Sequence, residues 1–268
     1  MSEKSIKIIV ATHKEYFMPS DEIYLPVHVG SAGKESIGYQ RDDSGENISE
    51  KNPYFCELTG LYWAWKNLQA DFVGLIHYRR FFSTKGILAR KNTPLDELYL
   101  SKQEAQNLLE NYDIIVPKKR KYYIETLYSH YANTMHGEHL DETRKIISEI
   151  CSEYVDSFDS AMKDRSGYMF NMFVMPKDLM SKYCSWLFGI LFELEKRISA
   201  DKYSSFHARF YGRVSEILFN VWLRQYQKEK SLKIKELPFI YGEKINWFKK
   251  GSAFLMAKFF GKKYEKSF

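Results

Sequence analysis

Short apolar runs alternate with longer stretches of helical spacing along most of this chain, and that alternation constrains the fold more than any other feature. Lys7–Thr12 reads as a buried strand, and Ile23–Val29 as a second one that ends at Gly30. Glu57–Leu68 carries Leu58, Leu61, Tyr62 and Trp65 at helical spacing. Phe72–His77 is a short apolar strand after the Asp71 turn, and Ser101–Asn111 an amphipathic helix opened by the capping pair Ser101/Glu104. Asp113–Pro117 returns to strand, and Asp141–Phe158 reads as helix. Tyr168–Met175 reads as an apolar, aromatic strand on which Asn171 is the polar exception. Helices follow over Lys177–Ile198, after Pro176, and Phe210–Gln227. Such alternation predicts an α/β layered domain around a largely parallel sheet. With 20 Tyr, 19 Phe and 5 Trp among 268 residues, rings remain to line a site after the core is filled.

Several classes are excluded. Cys56, Cys151 and Cys184 stand far apart with no CxxC, which argues against a disulfide framework and a structural zinc site and fits reduced, cytoplasmic surroundings. The N-terminal MSEKSIKIIVATH lacks a long apolar region and a small-residue cleavage site, so it reads as a first strand rather than a signal peptide. No run approaches the roughly 20 apolar residues of a membrane span. Gly30-Ser-Ala-Gly33-Lys34-Glu35 fails as a phosphate loop, with two residues rather than four between the glycines and Glu where Ser or Thr would hold magnesium. His136-Gly-Glu-His139 has its glutamate misplaced for a metalloprotease helix and reads as a polar helix start.

Charge is uneven. From Lys228 to Phe268 there are eleven Lys and four Glu, whereas residues 1–227 sum to a net charge of −1. Basicity confined to the end, among large apolar residues, argues against a nucleic-acid partner. Residues 1–242 are expected to form one domain and 243–268 a basic, aromatic C-terminal helix. In the latter, Lys249, Lys250, Lys258, Lys262, Lys263 and Lys266 alternate with Trp247, Phe248, Phe254, Leu255, Phe259 and Phe260. That pattern suits a helix lying in a membrane interface, and it also suits a helix packed on the domain with its lysines outward. On the membrane reading, the body at net −1 is expected not to bind lipid by itself.

The most telling segment is Gly74-Leu-Ile-His77-Tyr78-Arg79-Arg80-Phe81-Phe82, a buried-type strand running into a His and two Arg. Ligands of open α/β sheets sit outside the carboxyl ends of strands, and two guanidiniums there can grip phosphate oxygens bidentately. An Arg pair bridged to surface carboxylates is the plainer alternative. Residues 31–53 form a long, turn-rich loop, a length usually tied to function.

Together the motifs Asp43-Ser-Gly-Glu-Asn47-Ile-Ser, Tyr54-Phe-Cys-Glu57-Leu-Thr59-Gly60-Leu-Tyr-Trp63-Ala-Trp65-Lys66-Asn67, His77-Tyr-Arg-Arg80, Arg165-Ser-Gly-Tyr-Met-Phe-Asn171-Met-Phe-Val-Met175, Tyr183-Cys-Ser-Trp186 and Arg213-Val-Ser-Glu216-Ile-Leu-Phe-Asn220-Val-Trp222 resemble the domain-of-unknown-function family 4422. The resemblance runs from about Ile8 to Tyr241. It implies a single GT-A-like glycosyltransferase domain of bacterial capsule or exopolysaccharide synthesis. The implied donor is a UDP-sugar, most specifically UDP-galactofuranose, and the implied acceptor a lipid-linked glycan at the inner face of the cell membrane, where the protein is expected to be peripherally associated.

With the resemblance, the expected donor side comprises His77, Tyr78, Arg79, Arg80, Asp43, Asn47, Thr12 and Lys66, and the expected acceptor side Asn171, Trp63, Arg213 and His139. Most GT-A enzymes hold a divalent metal with an Asp-x-Asp at a mid-chain strand end. Here that strand end offers His77-Tyr-Arg79-Arg80 without an acid, so catalysis is expected to need no metal or other cofactor, the arginines replacing its charge. Asp42 and Asp43 either meet the uridine ribose or close the loop as a turn. Glu216 is the expected base, or else a capping carboxylate favoured by the helix dipole; Glu57 and Asp141 are weaker alternatives. Asn171 needs partners, which sugar hydroxyls or backbone can supply. A non-catalytic protein binding sugar nucleotides or glycans is the alternative function.

Overall fold

The computed structural model describes residues 4–86, 89–91 and 93–242. The expected C-terminal helix, residues 243–268, lies outside them. The chain runs β1 (Ile6–Thr12), β2 (Tyr24–His28), β3 (Gln40–Arg41), α1 (Asn52–Phe55), α2 (Leu58–Asn67), β4 (Phe72–His77), β5 (Arg80–Phe82), α3 (Leu95–Leu98), α4 (Lys102–Leu109), β6 (Ile114–Pro117) and β7 (Arg120–Lys121). It continues through α5 (Leu127–Thr134), α6 (Glu138–Ile150), α7 (Val155–Lys163), β8 (Ser166–Gly167), β9 (Phe173–Pro176), α8 (Lys177–Arg197), α9 (Phe210–Glu229), β10 (Ile234–Leu237) and β11 (Phe239–Tyr241).

The main sheet runs in the order β10-β6-β9-β4-β1-β2-β3. Strand β1 pairs in parallel with β2, from Ile8 opposite Tyr24 to Thr12 opposite His28, and with β4, from Ile6 opposite Phe72 to Ala11 opposite His77. Only β9 on this path runs against its neighbours, β4 and β6. Alternation along β1 sends Ile9 and Ala11 to one apolar layer and Ile8 and Val10 to the other. The first layer is covered by α2, α8 and α9, through residues such as Leu61, Phe188 and Trp222, and the second by Leu98, Leu100, Ala105 and Leu109.

Gly74, opposite Val174 of β9, leaves no room for a side chain. A Cβ there would stand 2.9 Å from the Phe173 carbonyl oxygen, 2.9 Å from Val174 Cγ2 and 3.1 Å from Ile8 Cγ1. Backbone cannot yield as a side-chain tip can, so Gly74→Ala should destabilise the fold by about 1–3 kcal/mol. A lower denaturant midpoint at unchanged slope is the expected reading.

Two expected elements differ. The helix predicted over 141–158 starts earlier, at Glu138, and breaks at Cys151 (φ −156°, ψ 61°), with a second helix from Val155. The strand predicted from Tyr168 begins only at Phe173, because Phe170 (φ 77°) and Asn171 (φ 52°) are left-handed. Apolar residues that pack inside a loop carry the same hydropathy as those in a strand. The capping box of Ser101 and Glu104 is present as expected.

Candidate active site

Every parallel strand of the main sheet delivers its carboxyl end to the same edge, and the residues after β4 and β6 meet there the turn that precedes β9. That turn is clamped by α9. Asn220 accepts the Tyr168 N–H (2.7 Å) and donates to the Tyr168 carbonyl (2.9 Å), as a strand neighbour would. Asn171 donates to Glu57 Oε1 (2.9 Å) and to the Gly212 carbonyl (3.2 Å), and accepts from Ser215 Oγ (3.0 Å). Its amide is thereby spent on protein groups. Asn171, expected among the acceptor contacts, is in this structure a clamp holding two left-handed residues.

The clamp sets the environment of Glu216. This carboxylate projects from the second turn of α9, which begins at Phe210 behind Arg209, so the capping alternative fails on position. Glu216 is 7% exposed. Burial raises its pKa above the ordinary glutamate range, with the nearby Glu57 charge adding, while Arg213, the Phe170 N–H and Arg80 oppose the rise. Arg213 Nη1 stands 3.5 Å from Glu216 Oε1.

The cations come chiefly from a hairpin rather than a strand-to-helix loop. His77 pairs with Arg80 across the turn at Tyr78–Arg79, and β5 continues against β11. Arg80 is half-buried, its guanidinium 4.2 Å from the Phe170 ring centre and 5.9 Å from that of Tyr241. Among the described residues Arg80 Nε has no hydrogen-bond partner, and Glu216 and Glu57 are the carboxylates that act on it. Arg79 donates through Nε to the Tyr78 hydroxyl (3.0 Å). His77 Nδ1 accepts the Arg79 N–H (3.3 Å), which leaves the ring proton on Nε2. Burial, then Arg80, Arg79, His13 and Arg209, hold its pKa well below the usual range, so His77 is neutral at pH 7.

Arg209 belongs to this group, although nothing in the expected site named it. It donates to Cys56 Sγ (3.0 Å), and Cys56 itself turns through a left-handed φ of 54°. A cation at the N-cap of α9 runs against the helix dipole, a misplacement legible in the sequence as a sign of another role. Burial pushes the Cys56 thiol up to about 11, which excludes it as a nucleophile at neutral pH. Also unforeseen is a buried pair beyond Arg213: Glu125 Oε2 lies 2.7 Å from His130 Nδ1, its other oxygen accepts from Asn133 (2.7 Å), and the Tyr122 ring lies 4.2 Å from that of His130.

Other residues expected at the site have partners within the protein. Asp42 is buried and accepts from Gly30 N–H, Ser31 N–H, Ser31 Oγ and Ser49 Oγ, so it closes the long loop. Asp43 is gripped by Arg41, and Asn47 donates to the Asp43 and Gly45 carbonyls. Thr12 Oγ1 donates to the Lys14 carbonyl (2.7 Å), Lys66 pairs with Glu46 (2.9 Å), and buried Trp63 donates to Ser44 Oγ (2.9 Å). His139 is fully buried, 2.9 Å from the Tyr131 hydroxyl and stacked on Phe210 at 4.0 Å. Each of these side chains thus helps to hold the scaffold around the strand ends.

The donor set at the end of β4 does not fit a divalent cation. A neutral His among arginines offers one ligand in a repulsive field. Among the described residues no three His, Cys, Asp or Glu side chains converge as a metal site. The arrangement suits an anion instead, with guanidiniums for its oxygens and a carboxylate of raised proton affinity beside it.

A mostly parallel sheet with its polar cluster at the strand ends is a GT-A-like architecture. A solved structure described as the apo form of WbbM, a bifunctional glycosyltransferase, superposes with a TM-score of 0.80 at 34% identity. The match covers 88% of this chain and 45% of that one, so the chain spans about half the length of the WbbM structure. The chain belongs to the family described as Domain of unknown function (DUF4422), whose model matches residues 7–229. No curated protein matches the sequence. No described helix is long and apolar enough to cross a membrane.

Proposed function

We propose that the protein is a nucleotide-sugar-dependent glycosyltransferase. It moves galactofuranose from UDP-galactofuranose, with inversion, onto a lipid-linked oligosaccharide in capsule or exopolysaccharide synthesis. The observation that carries this reading is Glu216, a buried carboxylate of raised pKa on a fixed helix, beside Arg80 and Arg213 at the carboxyl edge of the sheet. Similarity to a glycosyltransferase structure supports it.

Single displacement needs a base for the attacking hydroxyl and a counter-charge for the leaving diphosphate. Glu216 takes the proton as the acceptor oxygen bonds to the anomeric carbon. Arg80, Arg79 and Arg209 meet the charge that builds on the departing phosphate, and His77 donates to it through Nε2. Arg213, whose side chain is 39% exposed, holds Glu216 and reaches the acceptor. The acceptor is membrane-borne, with residues 243–268 contributing to attachment at the inner surface.

Since arginines carry the counter-charge, UDP should bind the protein in EDTA, and manganese should not tighten it. Isothermal titration with UDP is the check; binding that requires manganese would contradict the assignment. Inversion is read from the anomeric configuration of the product by NMR, and retention of the donor's configuration would refute single displacement.

A further inference from the structure

The sequence Lys118-Lys-Arg-Lys121-Tyr-Tyr-Ile124 leaves the carboxyl end of β6 on the same edge of the sheet as the candidate site. All four basic side chains are exposed. None of them pairs with a carboxylate among the described residues; Lys119 instead lies 4.9 Å over the Tyr168 ring and Arg120 5.0 Å over Tyr122. The chain then turns at Tyr123 (φ 57°), and Tyr123 and Ile124 stand 75% and 64% exposed, the two most exposed of the large apolar side chains described.

This tip is held in place. Strand β7 pairs with β8, Tyr122 N–H donates to the Arg165 carbonyl (2.8 Å), and Arg165 Nη1 donates to the Tyr123 carbonyl (3.2 Å). Arg165 is exposed too and adds a fifth cation. Immediately after the tip, Glu125 turns inward to His130, next to Arg213. A turn held by these hydrogen bonds, which presents an aromatic and an aliphatic side chain to solvent beside five exposed cations, has the chemistry of an interfacial anchor: apolar groups for the acyl boundary and cations for anionic headgroups.

We infer that Lys118–Ile124 docks the catalytic body onto an anionic lipid surface, with Tyr123 and Ile124 entering the interface and the site facing the same surface. The net charge of −1 over residues 1–227 conceals this local patch. The inference extends the reading of a membrane-borne acceptor, and its test needs neither donor nor acceptor, so the two can fail separately.

The three native cysteines are buried, so a full-length Ile124→Cys protein can be labelled at the tip alone with an environment-sensitive fluorophore. Phosphatidylcholine vesicles containing phosphatidylglycerol should shift the label's emission to the blue, and nitroxide-bearing lipid should quench it. Pure phosphatidylcholine should do neither. Changing Lys118, Lys119, Arg120 and Lys121 together to Gln should lower the partition of the labelled tip at least about ten-fold. Since all these positions are exposed, the melting temperature should hold. A label that stays in water while the protein floats with vesicles would overturn the inference, as would no flotation at all. So would a label that responds to a single-stranded oligonucleotide but not to anionic vesicles.

Discussion

Glu216→Gln should abolish most sugar transfer while leaving the protein at least as stable as the parent. A positioned general base contributes typically 10²–10⁴-fold, and the amide keeps the shape while losing the proton affinity. The stability half follows from the direction of the pKa shift. Burial raises the folded-state pKa of Glu216 above its unfolded value. The folded state therefore holds the proton more tightly, and this residue's contribution to stability falls as pH rises through that interval. Above that interval the parent bears a buried charge that the Gln variant lacks. An equal or higher melting temperature with turnover lost marks a base; a lower melting temperature with turnover kept marks a structural carboxylate. The parent's acid limb, in kcat/KM against pH, should lie above the ordinary glutamate range.

Arg80→Met should cost turnover by about 2–4 kcal/mol, roughly 30- to 1,000-fold, because it removes a charge-assisted contact to a developing phosphate charge. It should also move the acid limb further up in pH. Arg80 is one of the cations that hold the Glu216 pKa down, and the variant leaves that carboxylate facing Glu57 with one cation fewer. A purely structural role would lower activity without moving the limb. Arg79→Ala should cost less, since the Arg79 guanidinium is tied to the Tyr78 hydroxyl.

Much of the architecture is legible before any coordinates. Strands β1, β2, β4 and β6 and helices α2, α4, α8 and α9 fall within a few residues of where apolar spacing and the Ser101/Glu104 cap place them. The carboxyl edge of β4 as the place to look, and Glu216 on a fixed helix, follow from the same spacing. The turn before β9 was not legible, because Met169, Phe170 and Met172 are apolar for packing reasons while their backbone is set by Asn171 and Asn220 from the side. Nor was the allocation of polar atoms. Asp43, Asn47, Lys66 and Trp63 look like ligand residues as types, and only their partners show them occupied. Arg209 lies 129 positions from Arg80 in the chain, and periodicity carries no information about which helix start meets which hairpin.

Turnover tests the central claim most directly. Full-length protein in EDTA, supplied with UDP-galactofuranose and a lipid-linked oligosaccharide acceptor, should release UDP in step with the appearance of glycan one sugar longer, and the Glu216→Gln protein should release almost none. UDP-sugar that binds and is never consumed in the presence of acceptor would contradict the account and make the protein a binding module of the same machinery.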